Sequence, residues 1–244
     1  MEDDINEPFL HYKDDENNED IENEISQKIR GGFITKVYGI LIYQLLITSL
    51  VVLFSQINSS FQKLLLSSRF LYFTSIVIFI VCLFLPICNP NIYRQVPTNY
   101  IIITIFTLGY SWIVASMTCL YSFSSVMCAL FLTFIMLVSL TIYAKKSEKD
   151  FTIMGGCIFT LSILLIFSFI IIMFISIPLF YLVSLCFSLI LCCVYIIFDT
   201  QLIIGDKTNK FKEDDYILAA INIYLDVIML ILIILSIVGN KEKN

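Results

Sequence analysis

Long apolar runs alternate with short polar breaks along most of the chain, and the runs have the length a bilayer demands. A helix needs about 20 residues to cross ~30 Å of hydrocarbon. Phe33–Phe54 is a first such run, and Phe70–Cys88 a second, closed by Pro86 and Asn89-Pro90. Residues 98–144 carry no charge, a stretch too long for one helix and right for two. Tyr121-Ser122, with its flanking serines, is the predicted turn between Thr98–Leu120 and Phe123–Tyr143. Residues 151–198 are also uncharged and fit two helices, Phe151–Ile175 and Pro178–Ile204, broken at Ser176-Ile177-Pro178. The last run is Tyr216–Val238. The pattern predicts an all-α membrane protein. Seven transmembrane helices fill residues 29–240, between a tail of residues 1–28 and a short C-terminal tail of residues 241–244.

Composition strengthens this. Apolar residues make up 59% of the 244 and charged residues 14%, against ~45–50% and ~25% in soluble domains. Such a surplus cannot fit inside one water-soluble core, which excludes secreted, nucleic-acid-binding and ordinary cytosolic classes. Charge is unevenly placed: residues 1–24 hold eleven acids and one base, Lys13, and the remainder nets +5. The low pI is thus a property of the tail, which reads as disordered and solvated because it has too little apolar surface to offset ordering. It is a solubilising extension or a docking segment. No apolar core of a cleavable signal lies at the N-terminus, so the first span is expected to lead insertion.

Seven spans divide the basic residues unequally. Lys13, Lys28, Arg30, Lys36, Arg94, Lys145, Lys146, Lys149, Lys207, Lys210 and Lys212 fall on one side, and Lys63, Arg69, Lys241 and Lys243 on the other. The excess predicts a cytosolic N-terminus and a C-terminus outside or in the lumen, unless the last segment re-enters. The eight cysteines all lie in or beside apolar runs, none in a C-x-x-C pair, with His11 the one imidazole. They read as small packing residues, not as a zinc or disulfide framework.

Two acids interrupt the oil. Asp199 lies in Tyr195-Ile196-Ile197-Phe198-Asp199-Thr200-Gln201 and Asp226 in Asn222-Ile223-Tyr224-Leu225-Asp226-Val227. A carboxylate at bilayer depth costs about 2.5–3.5 kcal/mol on insertion scales, so each must face the bundle, find a partner or hold a proton. They stand on consecutive helices joined by a short loop, which are expected to be antiparallel neighbours. Asp199 lies near ~9 Å of helical rise from Gly205 and Asp226 near ~15 Å from Tyr216, depths that match if the sixth helix continues past Ile204. Asn222, one turn before Asp226, and Tyr195, one turn before Asp199, are candidate hydrogen-bonding supports. Two such carboxylates in contact share a proton and respond to pH; separated and deprotonated, they become hard oxygen ligands for a transient Ca²⁺. The alternative is two unrelated interior acids, each satisfied locally. Arg94 is a candidate latch onto one aspartate, or an ordinary basic flank. Lys36 can snorkel, Gly155-Gly156 can admit close helix packing, and Trp112 reads as core or lipid-facing.

Several stretches resemble the lifeguard proteins of the transmembrane Bax-inhibitor-motif family. They are Arg30 with Phe33-Ile34-Thr35-Lys36-Val37-Tyr38-Gly39-Ile40-Leu41 and Gln44-Leu45-Leu46-Ile47-Thr48, then Pro97-Thr98-Asn99 and Asp150-Phe151-Thr152. The most specific are Phe198-Asp199-Thr200-Gln201-Leu202-Ile203-Ile204-Gly205 and Tyr216-Ile217-Leu218-Ala219-Ala220-Ile221-Asn222-Ile223-Tyr224-Leu225-Asp226. The resemblance covers roughly residues 29–240. It implies a seven-helix bundle with Asp199 and Asp226 as a pH-sensing pair and Arg94 as a basic latch. It also implies a Ca²⁺ leak across an intracellular membrane and protection from cell death. Family members commonly carry further basic residues where this chain has Gln95 and Gly31-Gly32.

Three function classes follow. A pH-regulated Ca²⁺ leak needs lipid and Ca²⁺ as partners and no cofactor, with calcium as the permeant or transiently bound ion. Its expected home is endoplasmic reticulum, Golgi or another endomembrane, with the plasma membrane left open. A membrane scaffold would instead modulate apoptosis or stress signalling through cell-death or calcium-handling membrane proteins. An intramembrane aspartyl protease shares the physics of paired acids, but its Gly-x-Gly-Asp and Pro-Ala-Leu motifs are missing, so no enzyme is expected. A heptahelical receptor is not expected either: the third span lacks an acidic-Arg-aromatic end and the seventh lacks Asn-Pro-x-x-Tyr.

Overall fold

A computed structural model describes the backbone of residues 7–174, 177–205, 207–208 and 210–240. Its helices are α1 (Glu7–Ile57), α2 (Ser59–Ser67), α3 (Arg69–Cys88), α4 (Thr98–Thr118), α5 (Phe123–Lys146), α6 (Gly155–Phe174), α7 (Pro178–Ile204) and α8 (Tyr216–Val238). All but α2 are long and apolar enough to cross a membrane. There is no strand among the described residues.

The breaks fall where the backbone needs them. Ser122 caps α5 by accepting from the Ser125 amide, and Pro178 opens α7, where its missing N–H leaves no bond unmade. Three local features differ from the pattern. Helix α1 as described starts at Glu7, well ahead of the first apolar run. Extending a helix already nucleated in the first span requires far less than starting one in water. Helix α2, nine residues with Leu65 buried, is inserted before the second span; Asn58 caps it by accepting from the Ser60 and Phe61 amides at 3.0 and 3.1 Å. The fifth span opens with a 3₁₀ turn, Phe151–Met154, before α6. The expected break at Ser176 and the tail of residues 241–244 lie outside the described residues.

Helix α8 is the axle. It packs against α1, α4, α5 and α7, while α3 leans on α4 and α6 on α7. Ala219, Ala220, Ile217, Tyr224 and Leu230 of α8 are buried completely. By contrast α6 presents Phe159, Ile166 and Phe167 outward, as expected of a helix whose solvent is lipid. Gly155 lies 3.5 Å, measured from where a Cβ would stand, from the Phe198 ring, whereas Gly156 approaches nothing. Only the first of the two glycines therefore serves close packing. Trp112 is half-buried and meets Phe61 edge-on at 5.6 Å.

Helix α8 runs the full depth of the bundle. At its far end the Ser122 amide donates to the Asn240 carbonyl (3.1 Å) and the Asn240 amide to Ser125 Oγ (2.9 Å). The last described residues thus sit beside the α4–α5 turn, at the opposite end from Arg30. Helix α8 is continuous from Tyr216 to Val238 and does not fold back on itself.

Candidate functional site

Asp199 and Asp226 meet. Their carboxyl groups face each other across the α7–α8 contact, near enough for each to influence the other. Asp199 is 5% exposed. Asp226 Oδ2 is buried and has no partner. The depth argument needs one correction: α7 stops at Ile204. The mismatch is taken up by the loop, which doubles back so that the Phe211 amide donates to the Leu202 carbonyl at 3.2 Å. Helix α8 consequently begins farther out than α7 ends.

The expected supports lie elsewhere. The Tyr195 hydroxyl bonds Ser162 Oγ of α6 at 2.6 Å, not Asp199. Asn222 is half-buried and hydrogen-bonds to neither carboxyl group among the described residues. Arg94 is no latch on the pair: Nε and Nη2 both lie 2.8 Å from Asp215 Oδ1, just before α8. Its short loop after α3 leaves it at the bundle's rim, where the nearest acid is Asp215. The closest support is on the backbone, where Cys192 Sγ contacts the Asp226 carbonyl at 3.3 Å.

What closes this end of the bundle is a set of staples that the sequence reading left unassigned. Arg30 donates from Nε to the Ile204 carbonyl (3.1 Å), from Nη1 to Phe211 (2.7 Å) and from Nη2 to Leu202 (2.6 Å). A cation is thereby placed at the C-terminus of α7, where bare carbonyls and the helix dipole favour it. Gln201, fully buried, accepts from the Phe151 amide (2.8 Å) and donates to the Lys149 carbonyl (2.9 Å). Asp150 Oδ2 accepts from the Thr208 amide at 3.1 Å. Hydrogen bonds from Thr152 and Thr208 hold the Asp150 carboxyl down at about 2. Asn99, also fully buried, donates to the Tyr216 hydroxyl (2.8 Å). Lys36 places its ammonium 5.3 Å from the centre of the Tyr216 ring. The signal was present: each lies in a stretch that carries the resemblance, at a polar position beside an apolar run.

A second polar cluster threads the interior between α1, α4 and α8. Thr48 Oγ1 lies 2.7 Å from the Tyr224 hydroxyl and 2.9 Å from Ser111 Oγ, and Gln44 Nε2 donates to Thr107 at 3.3 Å.

On the outer side of the pair a cleft of about 400 Å³ opens between α3 and α6, with α7 and α8 behind it. Its walls are mostly apolar, with Asp226, Ser162, Ser188 and Tyr195 as its polar points. No group of three or more His, Cys, Asp or Glu stands ready for a metal among the described residues. Two carboxyl groups fall short of the 6–8 oxygens that Ca²⁺ takes.

Comparison with known proteins agrees with the geometry. A family model described as inhibitor of apoptosis-promoting Bax1 matches residues 30–243. Protein lifeguard 3 of Mus musculus is 28% identical over 220 residues, covering 88% of this chain and 71% of its own length. Its Homo sapiens namesake is 27% identical over 228 residues with the same coverage. The BI1-like protein of Arabidopsis thaliana is 39% identical over 222 residues, covering 88% and 83%. With nearly the whole helical bundle matched and lifeguard proteins among its relatives, this chain belongs to the Bax-inhibitor-motif family, in its lifeguard branch.

Proposed function

We propose that this protein is a pH-sensitive Ca²⁺ leak of an intracellular membrane, and that it restrains cell death through calcium homeostasis. The observation that supports the reading is the closeness of two buried acids, Asp199 and Asp226, inside an apolar bundle. Two carboxyl groups this close are stable together while a proton is held between them. When both groups ionise, two like charges stand close together in poorly hydrated surroundings, and repulsion loosens the α7–α8 contact. The bared carboxylates are then hard ligands for a passing Ca²⁺. The names of the family and its relatives, as apoptosis inhibitors and lifeguards, support the cellular role. The basic end bearing Arg30 faces the cytosol, following the excess of Lys and Arg there, and endoplasmic reticulum or Golgi is the expected home.

Purified protein in Ca²⁺-loaded liposomes tests this. Asp199→Asn and Asp226→Asn are each expected to change efflux several-fold and flatten its dependence on pH. Wild-type flux and pH response with both carboxyl groups removed would defeat the reading. A flux-dead double variant that still protects cells would favour a scaffold.

A further inference from the structure

We infer that the cleft beside the acid pair is a binding site for a single-chain amphiphile with a cationic amine head. This goes beyond conduction, and binding here does not depend on it.

The head is dictated by charge. Holding one proton between them, Asp199 and Asp226 carry a net negative charge, and no Lys or Arg lines the cleft. Both salt bridges among the described residues are at the bundle's end, on Arg30 and Arg94. Asp226 Oδ2 is the atom left without a partner, on a residue that lines the cleft. A buried acceptor of this kind loses free energy until a donor reaches it. An ammonium supplies both the donor and the missing positive charge, and the Ser162–Tyr195 hydroxyl pair on the same wall can accept its remaining protons.

The tail is dictated by the walls. Ile166 and Phe169 of α6 face Phe79 of α3 across the cleft, and Met229 and Ile233 of α8 line it one and two turns beyond Asp226. Met229 is 53% exposed on a helix that is otherwise mostly buried, so the cleft opens sideways to lipid. About 400 Å³ is the size of an ordinary small-molecule site. An alkyl chain entering from the bilayer can lie along Met229 while its amine reaches Asp226. A fatty acid fits the walls equally well but brings a second negative charge to the pair.

The test uses full-length protein in phosphatidylcholine nanodiscs with dodecylamine, and dodecanoic acid as the comparator, each bearing a photoreactive group in its tail. Dodecylamine is expected to label α6 and α8 residues of the cleft, displaced by unlabelled amine and not by the acid. Asp226→Asn is expected to weaken amine binding about tenfold or more. Met229→Trp, which fills the cleft and leaves both acids in place, is expected to abolish labelling there. Equal labelling by amine and acid, unchanged amine affinity in Asp226→Asn, or cleft labelling that survives Met229→Trp would each overturn the proposal.

Discussion

Gly205 and Arg30 show how much a single position can carry. Gly205 ends α7 at φ +73°, in the left-handed region where a side chain is strained. A Cβ there would stand 2.5 Å from the Arg30 Nε, so the residue is small for two separate reasons. Gly205→Ala is expected to destabilise by at least about 1 kcal/mol from backbone conformation alone, and by more because it pushes the guanidinium off the α7 carbonyls. Arg30→Ala removes the same three hydrogen bonds, roughly 2 kcal/mol or more for a charged donor set. The two effects share one cause, so the double variant should lose less than the sum of the singles. Unfolding of the purified variants measures this, and strict additivity would mean that the glycine and the arginine act apart.

At the level of elements, the membrane spans were legible because a bilayer sets their length and composition, and every apolar run lies in a helix, the start of α1 being the one end far from its predicted place. Asp199 and Asp226 stand out in the sequence because two acids on neighbouring apolar helices have few places to go. Their supports do not. Tyr195 lies on the right helix one turn from Asp199, but it turns towards Ser162 on α6, and helical spacing alone cannot say which neighbour occupies that face. Arg94 misled for a similar reason, because a charge beside a span has no fixed depth until its loop is placed. The loop staples were hidden because their partners are mostly backbone atoms distant in sequence.

One of those staples makes a pH statement. Asp150 sits at about 2 because Thr152 and Thr208 hydrogen-bond its charged form, below the roughly 3.9 of a free aspartate. A depressed value means stabilisation that is fully present above the unfolded pKa and is lost as pH falls through the folded one. The α5–α6 connection therefore stays fastened across the physiological range. Asp150→Ala is expected to unfold at lower temperature than wild type near neutral pH, with the gap constant down to about pH 4 and closing towards about pH 2. A gap that varies between pH 5 and 8 would show that another group sets the loop's stability.

Across the whole molecule, α8 separates two kinds of polarity. Tyr224 and Asp226 are two residues apart, about 200° around the helix, so they look out from opposite sides. Asp226 faces α7 and Asp199; Tyr224 faces α1 and α4 through Thr48 and, by ring contact at 5.8 Å, Tyr110. The Thr48–Ser111–Tyr224 cluster consists of neutral hydroxyls at zero or near-zero exposure, and it fastens the axle to α1 and α4 without a charge that could follow pH. Tyr224→Phe keeps the ring and deletes the hydroxyl. It is expected to lower stability by about 0.6–1.7 kcal/mol, the range found for hydrogen bonds between membrane helices, and to leave the pH midpoint of Ca²⁺ flux where wild type has it. Stability in detergent and flux in liposomes can be read on the same preparation. A shifted midpoint with unchanged stability would mean that the two sides of α8 communicate, and that the proton held by the aspartates is felt through the helix at the hydroxyl cluster.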